Sequence, residues 1–371
     1  MNDIYVKPPV NDQLAYILQW GVDFSEHEHR RQVEKLQTRV ARLIAQEVVR
    51  HAFVRQSQYR ILFSIPFDEK RSALIQLGAR NPHKQKGGVR VSFNPARMDD
   101  QDTAKMHRIM RKILGREVYN TLMLTPLINV LHPAVDVYGV SLDRTLVHYG
   151  HVQQRTTFGK RTNKAGAVEG YNYGGISSDY AAAVYDKRVE RVHRAVENIA
   201  RAGRLGNTSL KSAAVKQFHD AREHRPFIRV EVRGKKMRGL PLYKIASMTN
   251  RFKRFSFTDL DAMPPELPAA LQQACISIYR DLGAAAVFET FDGTKHLPAI
   301  KRWLSTGNAD WWQPDALWQG VDTALRASKI FPPAAFLDPD LRNAAPHPAQ
   351  ASKSKISTNR PAVPPKSKKP R

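Results

Sequence analysis

FIRVEVR, residues 227 to 233, is the most regular alternation in the chain. Ile228, Val230 and Val232 fall on one face of an extended segment, and Arg229, Glu231 and Arg233 on the other. Such a strand buries one face and needs a sheet to sit in. Its polar face, an acid between two arginines, reads either as a self-neutralising surface ladder or as the working face of a site. Working outward, VRVSFN at 89–94 repeats the pattern and ends at Asn94-Pro95, and YRILFSI at 59–65 is a β-prone run stopped by Pro66. A further strand is expected over Ala134 to Val140. There Asp136 shares a face with Ala134 and Tyr138, so a carboxylate is aimed from an apolar strand and needs a cation, hydrogen-bond donors or solvent.

Helices separate these strands. Ser25, with Glu28 three residues on, opens a helix expected to run to residue 53, with Val33, Leu36, Val40, Leu43 and Ile44 on one stripe. Asp100 or Asp102 caps a second helix, whose stripe is Met106, Ile109, Met110, Ile113 and Leu114. The expected class is α+β, with helices across one face of the sheet.

The stretch Tyr171 to Arg191, YNYGGISSDYAAAVYDKRVER, crowds glycines, tyrosines and isolated acids ahead of a basic exit. Tyr180 to Asp186 is ambiguous between strand and helix. From Arg188 to Arg204 the helical spacing of Val189, Val192, Val196 and Ile199 is clear, so Tyr185 sits at the entrance of an arginine-rich helix.

The chain carries a formal charge of +25 over 371 residues, and residues 144–254 alone hold 24 basic against 8 acidic side chains. A polyphosphate is the natural partner of such a block, because each neutralised phosphate releases counterions. One cysteine, Cys275, excludes an intramolecular disulfide framework and a thiolate-rich metal site. No apolar run approaches the ~20 residues of a membrane span, so the expected setting is cytoplasmic with no membrane partner. Four parts are expected: an N-terminal helical region over 1–56, a central domain over 57–255, a helical region over 256–344 and a disordered basic tail over 345–371.

Four segments in order, VRVSFNPARM (89–98), VDVYGVSLD (135–143), YNYGGISSDYAAAVYDKRVE (171–190) and RVEVRG (229–234), resemble the replication-initiation-factor family of plasmid and phage rolling-circle initiators. The resemblance covers about residues 57–255. It implies an antiparallel-type sheet like that of the His-hydrophobe-His nucleases. It also implies an enzyme that nicks one DNA strand at an origin, leaving a tyrosine on the 5′ phosphate and a free 3′ hydroxyl as primer. On this reading Tyr185 is the nucleophile, Lys187 a phosphate or leaving-group contact, Arg229 a transition-state cation, and Asp136 and Glu231 the ligands of Mg²⁺ or Mn²⁺. Arg155, Lys160, Arg161, Lys164, Arg188, Arg191, Arg233, Lys235 and Lys236 are the expected DNA contacts. Tyr173 and Tyr180 are candidate second nucleophiles. The expected partners are origin DNA, single-stranded or cruciform, a host helicase and a second copy of the chain. Val135 stands where the family has Arg, and Gly175-Ile176 where it has Ser-Arg. A basic regulator that binds DNA without cutting it, and a mobilisation relaxase, are the rival readings.

Overall fold

A computed structural model describes residues 4–150, 158–162, 168–175, 177–306 and 309–344. The basic tail, together with Arg155 and Lys164, lies outside the described residues.

The chain begins with β1 (Tyr5–Val6) and β2 (Val10–Leu18), then α1 (Glu26–Ala45), β3 (Arg50–His51), β4 (Tyr59–Pro66), β5 (Ser72–Ala79) and β6 (Val89–Phe93). Helices α2 (Asp100–Leu114) and α3 (Arg116–Leu122) lead to β7 (Leu127–Tyr138), β8 (Thr145–Tyr149), β9 (Phe158–Thr162), β10 (Val168–Tyr173) and β11 (Tyr180–Asp186). Helices α4 (Lys187–Arg204) and α5 (Thr208–Glu223) precede β12 (Phe227–Gly234), β13 (Leu240–Pro241) and β14 (Phe255–Asp259). The remainder is helical: α6 (Ala269–Leu282), α7 (Ala284–Thr290), α8 (Leu297–Thr306) and α9 (Pro314–Ala327).

Among the described residues one sheet gathers twelve strands in the order β3-β4-β5-β6-β2-β7-β12-β11-β10-β9, with β1 and β13 added along β7. Every pairing in it is antiparallel. The fold is thus mixed α and β around a large antiparallel sheet, as expected.

The two faces differ in chemistry. Leu14, Tyr16, Ile75, Val89, Val91, Leu131, Val135, Val137, Val184, Val230 and Val232 are buried in one core with the apolar stripes of α1, α2 and α9. The helical stripes read from the sequence are the residues that fill this core: Val33, Leu36, Val40 and Leu43 from α1, and Met106, Ile109, Met110 and Ile113 from α2. The opposite face carries Gln76, Arg90, Asp136, Arg229 and Glu231, and their alternation with the core residues is the period of two of a strand.

Several boundaries differ from expectation for physical reasons. Helix α1 stops at Ala45 rather than residue 53, because Glu47 takes a left-handed φ of 56° and the chain turns into β3. The N-cap of α2 is Asp99, in a reciprocal box with Asp102, rather than Asp100 or Asp102. After Pro66 the chain turns back into β5, which pairs with β4 and β6 and is not among the strands expected from the sequence. The expected N-terminal region over 1–56 is not purely helical, since β2 is inserted between β6 and β7 in mid-sheet. The expected boundary at 255 is crossed as well: β14 pairs with β8, and Trp312, Leu317, Val321 and Leu325 join the main core. Helices α6, α7 and α8 form a smaller cluster around Cys275, Tyr279 and Trp303. Cys275 is fully buried there, and burial pushes its thiol up to about 11, so it is an inert core residue.

Candidate active site on the polar face of the sheet

Antiparallel register gathers the site from distant sequence. Across the sheet Gly170 pairs with Tyr185, Tyr185 with Arg229, and Arg229 with Asp136, so these residues form one rung. One rung along, on the same face, Glu231 is opposite Ala134. The ambiguous segment Tyr180–Asp186 is therefore a strand, with pairing partners on both sides. Its last residue, Asp186, caps α4 by accepting the Val189 N–H at 2.9 Å. No loop separates strand from helix, and Tyr185 is held at the joint.

Arg229 is the hub. Its Nε and Nη2 donate to the two oxygens of Asp136 at 2.6 and 2.8 Å, and its Nη1 donates to Asp12. The bidentate geometry fixes the guanidinium plane, and three of its ~5 N–H groups are used. Asp12 was not singled out in the sequence. It sits where the β2–β7 register shifts between Asn11 and Gln13, so a bulge in β2 turns its carboxylate toward the hub. Polar residues at the start of a strand give no alternation that would betray such a bulge.

Glu231 forms a second unit. Its carboxylate lies 3.4 Å from His132 Nδ1 and accepts from Arg233 Nη2 at 2.9 Å. Burial alone would raise the Glu231 carboxyl, but its hydrogen bonds with His132 and Arg233 hold it down at about 2. The native acid is thus stronger than its unfolded form. Its contribution is present above the unfolded pKa of ~4.3 and lost as pH falls from there toward 2, on the order of 3 kcal/mol in all. Urea midpoints for the native sequence should therefore drop between pH 5 and pH 2.5. Glu231→Gln should flatten that part of the curve; an unchanged slope would show that other carboxylates carry it.

Lys187, the first residue of α4, is buried. Its Nζ forms an ion pair with Glu190 at 2.8 Å and lies over the Tyr185 ring, 5.3 Å from the centroid. Burial, and then the nearby Arg229, lower the pKa of its ammonium despite Glu190. Tyr185 is half-buried. Its phenol is held well above the usual tyrosine range by burial first and then by the charge of Glu231, with Arg229 opposing and Asp12 and Glu190 adding to the rise.

Gly170 makes the close approach of β10 possible. A Cβ there would stand 2.8 Å from the Tyr185 Cβ and 3.0 Å from the Val184 carbonyl oxygen. Gly170→Ala is expected to shift Tyr185 and reduce any activity that depends on it by about ten-fold or more, since small misplacements of reacting groups are costly. A matched melting curve checks that the fold survives; full activity would show that Tyr185 tolerates the move.

The other expected residues divide. Arg188 and Arg191 lie on the first turns of α4 beside the site, with Arg191 4.8 Å over the Phe227 ring. Arg233 is one third exposed at the rim. Lys235 and Lys236 are not near Tyr185. Tyr180 pairs with Gly234, so these lysines stand at the other end of the β11–β12 pair, about 17 Å along the strand from Tyr185. There they donate to the Gly175 and Ser177 carbonyls and fasten the turn before β11. Arg161 lies in β9, exposed and 3.5 Å from Glu169; Lys160 precedes it in the same strand. Tyr173 and Tyr180 are both on the core side of the sheet, and the Tyr173 hydroxyl donates to the Val147 carbonyl at 3.1 Å. Neither shares a face with Tyr185.

For a divalent cation, the donor set is short as it stands. Both Asp136 oxygens face Arg229, and the Glu231 oxygens face His132 and Arg233. Among the described residues no three His, Cys, Asp or Glu side chains come together as a metal group. The same residues include no helix long and apolar enough to cross a membrane. A scan against family models and a search of curated proteins find no match to this chain.

Proposed function

We propose that this chain nicks single-stranded DNA by tyrosine transesterification, in the manner of the rolling-circle initiators it resembles, on a sheet comparable to theirs. The observation that carries the reading is a single rung: a phenol, an arginine and an acid side by side, with a buried lysine over the phenol ring.

In the reaction, Tyr185 Oη attacks a backbone phosphorus. The Oη–P bond forms, the P–O3′ bond breaks, and the 5′ end stays on the enzyme. The phenolic proton is lost to solvent water, because Glu231 is held down by its hydrogen bonds and Asp12 and Glu190 are already paired with Arg229 and Lys187. The departing 3′ oxygen takes its proton from water. Lys187 and the two free N–H groups of Arg229 offset charge on the phosphoryl oxygens. Asp136 and Asp12 act as positioning residues by fixing the guanidinium. No step is routed through a metal.

The test is to incubate the protein with a random-sequence single-stranded DNA library, digest the DNA and map nucleotide-modified peptides by mass spectrometry. Modification of Tyr185 is the expected result; modification of a different tyrosine would overturn the assignment. Run with Mg²⁺ or Mn²⁺ and again with EDTA, the assay reads whether adduct formation needs a divalent cation.

A second reading, a DNA-binding protein that does not cut, is favoured by the closed Asp12–Arg229–Asp136 network, in which two carboxylates already engage the one guanidinium. DNA binding with no adduct under any metal condition would select it.

A further inference from the structure

One rung beyond Tyr185, Arg229 and Asp136 on the same face, Phe227 is opposite Tyr138 and Tyr138 is opposite Tyr5. The three rings form a row. Phe227 and Tyr138 are stacked with centroids 4.5 Å apart and planes within 5°, and Tyr5 follows at 6.3 Å, tilted by 39°. Phe227 is fully buried, Tyr138 half-buried and Tyr5 55% exposed, so the row runs from the core to open solvent. Two cations lie over the row: Arg191 over the Phe227 ring at its inner end, at 4.8 Å, and Lys7 over the middle ring, Tyr138, at 4.9 Å.

We propose that Tyr5, braced by the Tyr138–Phe227 stack behind it, is a base-stacking platform for single-stranded DNA, with Lys7 and Arg191 as phosphate contacts beside the row. The polymer is taken from the nicking reading, on which the proposal rests. Its geometry stands alone. An exposed aromatic ring beside a cation is what an unpaired base recognises, and Tyr5 is the exposed ring of this row, with Tyr138 and Phe227 stacked behind it. Tyr5 adds little to the core, yet β1, a two-residue strand, holds it in register beside Tyr138. Rungs on one face repeat every ~7 Å, about twice the ~3.4 Å repeat of a nucleic-acid strand. Tyr5 also lies three strands across from Tyr185, through β7 and β12, so the two are about 16 Å apart and a base on Tyr5 would lie about five stacked nucleotides from a phosphate at Tyr185. Strand register puts Phe227 and Tyr138 on the face of Tyr185, Arg229 and Asp136, so the platform is on the same side of the sheet as the nucleophile.

The test is the affinity of the full chain, in the Tyr185→Phe background, for a fluorescein-labelled oligothymidylate and for an abasic strand of equal length. Tyr5→Ala is expected to weaken oligothymidylate binding by about ten-fold, Tyr5→Trp to restore it, and the abasic strand to bind Tyr5→Ala and the parent equally. Lys7→Ala should reduce the salt dependence of binding by about one counterion. Unchanged affinity in Tyr5→Ala, or an equal loss on the abasic strand, would overturn the platform. Melting curves confirm folding of an exposed edge variant. A platform signature without a Tyr185 adduct sinks the nicking reading alone, whereas an adduct without the signature sinks the platform alone.

Discussion

Tyr185→Phe should leave DNA binding within about two-fold of the native protein and abolish the covalent adduct, with a loss of about 1,000-fold or more. The change removes one oxygen and keeps the ring, so the Lys187 contact 5.3 Å above it and the strand register are retained. Burial and neighbouring carboxylates hold the phenol protonated at neutral pH, so phenolate is scarce. The adduct yield of the native protein should therefore rise with pH between 7 and 9, because the fraction of phenolate below a raised pKa grows about ten-fold per unit. An adduct that survives in Tyr185→Phe would end the assignment, since Tyr173 and Tyr180 lie on the other side of the sheet.

The second large effect is on stability. Arg229→Leu strands Asp12 and Asp136 without their cation, and removing one partner of a buried ionic group costs roughly 3–5 kcal/mol. A surface pair would cost at most ~1 kcal/mol. The size of the loss therefore decides whether this network behaves as interior or as surface. Arg229→Leu combined with Asp136→Leu and Asp12→Asn should regain most of the loss, because no unpaired buried charge is left. Urea unfolding of the three proteins measures both steps. A single variant within 1 kcal/mol of the native protein would mean that water already solvates the carboxylates.

Much of the site's strand content was legible. FIRVEVR and VRVSF declare themselves by alternation, and both occupy the strands that alternation assigns. The helix after Tyr185 was legible from its spacing, and the strand before it was not, because three alanines favour helix while pairing on both sides selects strand. The grouping of Tyr185, Arg229 and Asp136 comes from register, which no single segment encodes. Two pieces were hidden for definite reasons. In β2, VNDQLAYIL opens with polar residues and is interrupted by a bulge, so its period is lost, although it becomes a mid-sheet strand. Asp12 could be recognised only once that bulge aimed it at Arg229, 217 residues away. Charge patterning located the basic block but not its inner division, in which Arg188 and Arg191 stand on the first turns of the helix that follows Tyr185 while Lys235 and Lys236 clamp a distant turn.

β11 lies between β10 and β12, paired along both edges, and runs without a loop into α4. Anything joined to Tyr185 and pulled along the strand axis loads two ladders of hydrogen bonds in shear, all at once, rather than peeling them one by one. A tether anchored there resists tension as a dowel does, and would release its cargo by chemistry before the strand tears out.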